Sequence, residues 1–266
     1  MPFVRVGDLN FYFEEIGAGP PIVFISGLGS DLRSWTPLLP FLSTTYRCIT
    51  FDNRDTGSTS QVPDGYAISD MAEDVAGLLE ALGVQRAHVV GASMGGAIAQ
   101  ELAIGRPDLV DHLVLLSTYT SADSRGAAIL DSWLHLQRAL PREAYLRAIY
   151  PWLFSVEEYA APGLIEGVLQ YALEHRSQQS PEAYERQMQA ALSHHTVGRL
   201  GAIRAPTLAL FGEDDILTPL RFARSLTEEI PLARLRTFPG AGHALVWTRT
   251  REVAEEILGF VTQSSD

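Results

Sequence analysis

Short, largely apolar runs punctuate this chain, each flanked by turn-forming residues: Ile22-Val23-Phe24-Ile25, then residues 48–51, 87–90, 113–116 and 208–211. Runs this short and this apolar read as strands buried on both faces, the mark of a parallel sheet. Between them, apolar positions recur at helical spacing. One such stretch runs from a Ser69 cap to Leu82 and stops at Gly83, and another runs from Ser93 to Ile104 and stops at Gly105. Ahead of the first run, residues 3–6 and 10–15 form two extended stretches separated by Gly7-Asp8, a hairpin signal. With a last strand-like stretch at 235–238, the pattern predicts a mostly parallel sheet covered by helices on both faces.

The alternation breaks between about Thr120 and Arg204. That segment is helical in pattern, rich in aromatics (Trp133, Tyr145, Tyr150, Trp152, Phe154, Tyr159, Tyr171 and Tyr184), and divided by Pro141, Pro151, Pro162 and Pro181. Roughly eighty residues is too long for a loop, so it reads as a helical insertion. The expected organisation is a core in two parts, 1–119 and 205–266, split by a helical lid over 120–204 that enters after the sixth strand.

Length and composition fit one soluble domain. The 266 residues can bury a single large core, and 46% hydrophobic with 20% charged residues is ordinary for a globular chain. A net charge of -12 argues against nucleic acid or an anionic membrane as partner, because both repel an acidic surface. No segment approaches the ~18 apolar residues of a membrane span, and the first fifteen residues lack a signal-peptide core. A cytoplasmic location is the expectation. The one cysteine, Cys48, sits in an apolar run, which excludes an internal disulfide and predicts a buried, inert thiol. No Cys/His cluster has metal-ligand spacing and no dinucleotide glycine fingerprint follows the first strand, so no cofactor and no metal are expected.

The chemistry concentrates in three places. Gly91-Ala92-Ser93-Met94-Gly95 fits Gly-x-Ser-x-Gly, a weak pattern alone. Here it stands between a strand run and a helix rich in small residues, Gly96, Ala97 and Ala99, which is the context that makes Ser93 a nucleophile candidate rather than a helix cap. Such a turn holds the serine hydroxyl clear of the sheet edge, and the following helix aims free N–H groups at developing negative charge. A serine needs a base within reach. Of seven histidines, His88 and His112 look structural, and His135, His175, His194 and His195 fall in the insertion, where polar or partly exposed positions are expected of them. His243 stands in the small-residue loop Pro239-Gly240-Ala241-Gly242-His243 after a strand, where an α/β sheet places its working groups. The acid that orients it is sought in Gly212-Glu213-Asp214-Asp215-Ile216-Leu217-Thr218-Pro219, where three carboxylates are adjacent.

These pieces together resemble the α/β-hydrolases with a lid, in particular 3-oxoadipate enol-lactonases, small carboxylesterases and perhydrolase-like members. The matching segments are Ser26–Gly29, 51–58, 91–96, 212–219 and 240–243, which cover nearly the whole core. The resemblance implies an eight-stranded α/β-hydrolase fold. It selects Asp215 as the acid, from the motif Gly-x-x-Asp-x-x-Thr/Val-Pro, and assigns the oxyanion-hole N–H groups to Leu28 and Met94. One departure is Ser26-Gly27, where many members carry His-Gly. Asp52 and Arg54, within a family hallmark, read as structural. The implied activity is hydrolysis of a small ester or lactone through an acyl-enzyme. Carbon–carbon bond hydrolases, which resemble this chain but carry Asn at the position of Ala92, and perhydrolase or haloperoxidase-like chemistry remain alternatives, with a non-enzymatic receptor as the reading from another class. Of the insertion's arginines, Arg138, Arg142 and Arg147, a carboxylated lactone requires at least one pointing inward. Solvated positions for most of them favour a neutral or monoanionic substrate.

Overall fold

The computed structural model describes residues 2–175 and 179–262. Eight strands form one sheet: β1 (Phe3–Val6), β2 (Leu9–Ile16), β3 (Pro21–Ile25), β4 (Arg47–Phe51), β5 (Ala87–Ala92), β6 (Val110–Leu116), β7 (Thr207–Gly212) and β8 (Ala233–Phe238). Their order is β1-β2-β4-β3-β5-β6-β7-β8. β1 and β2 pair antiparallel, as does β2 with β4, and every pair from β4 to β8 is parallel.

The uninterrupted apolar runs have the cause inferred from them. On β3, Val23 and Ile25 face one core with helices Ile68–Ala81 and Met94–Gly105, while Ile22 and Phe24 face the other with helix Thr250–Val261. All four are completely buried, each contributing roughly 1.5–3 kcal/mol of transfer free energy. Two details differ from expectation. Helix Ile68–Ala81 begins one residue before Ser69, because the Asp70 carboxylate reaches back to accept the Ala67 N–H at 2.8 Å. His194 is buried against Tyr119 rather than exposed, and burial pushes its imidazole down to about 4. Cys48 is buried as expected, its thiol pushed up to about 12 by desolvation.

The segment between β6 and β7 folds as helices Ser124–Ala139, Arg142–Leu153, Val156–Ala160, Leu164–Glu174 and Pro181–Ser193. It has a core of its own, with Trp133, Tyr145, Tyr150, Phe154 and Leu169 among its buried members. Pro181–Ser193 is fastened to the sheet domain by polar contacts. Arg186 donates twice to Asp55, at 2.8 Å and 2.8 Å, and Asp55 also accepts from Tyr66 Oη and Val62 N, both at 3.0 Å. Gln187 donates to Arg54 O and Thr56 Oγ1, and accepts from Gly29 N. Asp55 is 0% exposed. Removing its partner leaves a buried carboxylate short of its counter-charge, so Arg186→Met is expected to lower unfolding stability by about 3–5 kcal/mol, read from urea denaturation midpoints. A change below 1 kcal/mol is inconsistent with this lock, by the range typical of exposed pairs.

Candidate active site

Strand β5 ends in the sharp turn that carries Ser93. Its backbone sits at φ 54 and ψ −120, a left-hand region costly for a side chain, by ~1–3 kcal/mol. Neighbours hold it there: Ser93 N donates to Leu116 O at 2.9 Å, and Thr118 Oγ1 donates to Ser93 O at 2.7 Å. The flanking glycines are required by close approach. A Cβ at Gly95 would collide with the carbonyl oxygen of Ile25, and one at Gly91 with that of Gly95. Met94 is the first residue of helix Met94–Gly105, so its N–H belongs to the turn that has no acceptor within the helix.

His243 hangs from the loop after β8. Its Nδ1 lies 2.8 Å from Asp215 Oδ2. Among the three adjacent acids the fold discriminates sharply: Glu213 and Asp214 are exposed, whereas Asp215 is buried at 3%. Asp215 Oδ1 accepts from Leu217 N (2.9 Å) and Thr218 N (2.8 Å), and Oδ2 accepts from Thr218 Oγ1 at 2.6 Å. Burial alone pushes this carboxyl up. The charge and hydrogen bond of His243, with the Thr218 donors, outweigh it and hold Asp215 below the usual carboxylate range.

Ser93, Met94, Leu28, Thr218 and His243 line one cavity of about 350 Å³. Asp215 stands behind His243, out of the cavity wall. The departure at Ser26 has a local explanation. Its buried hydroxyl accepts from Trp35 Nε1 at 3.0 Å and donates to Asp31 O at 3.1 Å, while Asn53 Nδ2 fixes its carbonyl at 2.9 Å. The turn bearing Leu28 is therefore held without the histidine that many members place there. Asp52 and Arg54 have structural partners, as expected: Asp52 accepts from Leu32 N and Ser58 N, and Arg54 pairs with Asp74 at 2.6 Å.

The chain matches the pattern of the α/β hydrolase fold over residues 20–250. It belongs to that family. A protein from Azorhizobium caulinodans named as a carbamate hydrolase, RutD, is 31% identical over 98% of this chain and 98% of its own. The crystal structure of a Mycobacterium tuberculosis H37Rv protein named as a non-heme bromoperoxidase, BpoC, is 32% identical, covers 95% of this chain and 96% of its own, and superposes with a TM-score of 0.86. The enol-lactonase from Burkholderia xenovorans LB400 is similar in fold, with a TM-score of 0.87 at 24% identity over 98% of this chain and 100% of its own.

In this α/β hydrolase the inserted helices roof the cavity. Trp133, Tyr145, Tyr150, Tyr171 and Tyr184 line it, whereas Trp152, Phe154 and Tyr159 do not. Burial pushes the phenols of Tyr145, Tyr150 and Tyr184 up, Tyr150 to about 12, so they stay neutral. Arg138 and Arg147 are exposed in ion pairs with Glu185 and Glu166 at 2.7 Å and 2.8 Å, and only Arg142 of the three reaches the cavity.

Several positioning contacts have no signature in the sequence. His243 N and Ala244 N both donate to Leu153 O, at 2.8 Å and 3.2 Å. Ser155 Oγ donates to Gly240 O at 2.6 Å, and Glu158, itself buried, accepts from Gly242 N at 3.2 Å. The middle of the insertion thus holds the histidine loop. Among the described residues, no helix is long and apolar enough to cross a membrane.

Proposed function

We propose that this chain is a serine hydrolase that cleaves a small carboxylic ester or lactone through an acyl-enzyme. The observation that carries this reading is the Asp215–His243 contact of 2.8 Å beside a strained Ser93 on the wall of a shared apolar cavity. In this mechanism His243 takes the Ser93 proton as Oγ attacks the substrate carbonyl. Asp215 keeps the imidazole Nδ1 protonated and stabilises the imidazolium. The backbone N–H groups of Leu28 and Met94 receive the oxyanion, and His243 then protonates the leaving group. Water repeats the sequence on the acyl-enzyme. The inserted helices act as a lid whose aromatics exclude bulk water.

The cavity also carries the carboxylates of Asp31 and Asp123, which pair with Arg33 and Arg221, so Arg142 does not stand in a uniformly basic pocket. This supports a neutral or monoanionic substrate. The test is a panel of short neutral esters, long-chain esters, carbamates, neutral lactones and carboxylated lactones. Short neutral esters or lactones are expected to have the highest kcat/KM. If carboxylated lactones lead by about 100-fold, near 2.7 kcal/mol, and Arg142→Ala abolishes that lead, the substrate is a carboxylate-bearing lactone held by Arg142 instead of a neutral ester or lactone. The carbamate arm is included because a relative of 31% identity carries that activity in its name.

A further inference from the structure

Away from the Ser93 cavity, near the start of β5 and β6, three ligand-type side chains meet at a break in the sheet register. The two strands pair at Ala87↔Val110 and again at Val89↔Leu113. Between those pairs β5 supplies one residue, His88, and β6 supplies two, Asp111 and His112. Such a bulge interrupts the alternation of faces and re-aims a side chain. Both β6 residues are thereby brought to the same histidine. Asp111 Oδ2 lies 3.3 Å from His88 Nδ1 and 3.4 Å from His112 Nδ1. One ligating atom from each of the three lies within 4.8 Å of the other two.

These contacts do not work as hydrogen bonds. Both Nδ1 atoms are buried with no hydrogen-bond partner, in side chains that are 6% and 4% exposed as residues. An unsatisfied buried polar atom costs ~1–3 kcal/mol, and here two stand side by side. A tetrahedral ion with bonds of about 2.0–2.1 Å separates its ligands by about 3.3–3.4 Å, which is the spacing from Asp111 to each histidine. Two imidazoles and a carboxylate suit zinc and its first-row neighbours. Arg86 holds the other Asp111 oxygen at 3.3 Å, as an outer partner that orients the carboxylate. Edge-on rings of Tyr46 and Phe260 brace the two imidazoles. Asp111 is half-buried, which leaves a route in from solvent.

We propose that His88, Asp111 and His112 form a binding site for a divalent transition-metal ion of the zinc type, with water completing the coordination. Ser93 lies five residues further along the chain from His88, ~16 Å at strand spacing, so the ion takes no part in hydrolysis. Its effect is to clamp β5 and β6 beneath the C-terminal helix.

The experiment is equilibrium dialysis of metal-stripped protein against zinc chloride, with melting curves recorded with and without zinc. Wild type is expected to take up one zinc per chain and to melt higher with it. Cobalt in place of zinc is expected to give tetrahedral visible absorption. Asp111→Asn is expected to weaken zinc binding by about 100-fold, at or beyond the range for losing an outer partner. His112→Gln serves as a second variant, and circular dichroism without metal establishes that each variant is folded. His135→Ala, which removes an exposed His135–Asp131 pair, is expected to change nothing. No zinc uptake by wild type, uptake unaffected by Asp111→Asn, or uptake lost in His135→Ala would overturn the proposal.

Discussion

Ser93→Ala will lower turnover of the best ester by about 10⁶-fold, the scale seen when a serine nucleophile is removed. The loss is that large because no other group can take over the bond-forming step, while the cavity, the oxyanion donors and the His243–Asp215 pair all remain. What survives is the ~10³–10⁴-fold advantage over water that binding and oxyanion stabilisation supply alone. Melting temperature is expected to change little, since alanine keeps the φ of 54 that the surrounding hydrogen bonds impose. A fluorophosphonate probe should label the peptide containing Ser93 in wild type and leave the variant unlabelled. Labelling elsewhere, or an alanine variant that retains turnover, refutes the nucleophile assignment.

The neighbouring acids give the next largest contrast. Asp215→Asn should cost about 10⁴-fold in kcat, because an amide can present its NH₂ to Nδ1 and stabilise the wrong tautomer. Asp214→Asn should leave activity near wild type, as its side chain is exposed and only its backbone is engaged, through Asp214 N to Ala241 O at 3.0 Å. Equal losses at the two positions refute the assignment. The pH profile separates the base from the acid. Asp215 is held below the ordinary carboxylate range. Its contribution to stability is complete above the unfolded value of about 3.9 and is lost as pH falls through the lower folded value. It stays ionised under mild acid, so a loss of kcat/KM there does not come from protonation of Asp215.

Much of this architecture was legible because burial on both sides of a parallel strand forces a local pattern. The apolar runs at 22–25, 87–90 and 113–116 each lie within an observed strand. The candidates Ser93 and His243 were legible because each follows a strand-like stretch, Ser93 in a turn between glycines after a fully apolar run and His243 in a loop of small residues. Asp215 was not separable from Asp214 by pattern alone; family spacing selected it, and burial distinguishes it in three dimensions. The unread features all depend on contacts between distant segments. Nothing near Glu158 announces that it holds Gly242, and nothing near Asp55 announces Arg186, 131 residues away. The three-residue cluster at His88 escaped for a similar reason: its ligands sit on two strands, and a bulge is invisible to periodicity. Of the insertion's aromatics, sequence could not distinguish Trp133, which faces the cavity, from Phe154, which fills the insertion's own core.

The double fastening of the inserted helices limits how freely this protein can be re-engineered or diversified. A segment placed between two strands is ordinarily an exchangeable module. Here the middle of the segment carries Leu153, Ser155 and Glu158, which hold the histidine loop, and its last long helix carries Arg186 and Gln187, which are stitched into the 54–56 turn and Gly29. A transplanted segment lacking those anchors would disturb the histidine loop even if it fitted the cavity. Helix Leu164–Glu174 lies between the two fastenings, and its buried Leu169 packs into the insertion's own core. It is there, where Tyr171 and Ala172 reach the cavity, that exchanges are expected to leave the histidine loop and the 54–56 turn undisturbed, provided Tyr171 keeps its bond to Thr36 Oγ1 at 3.1 Å.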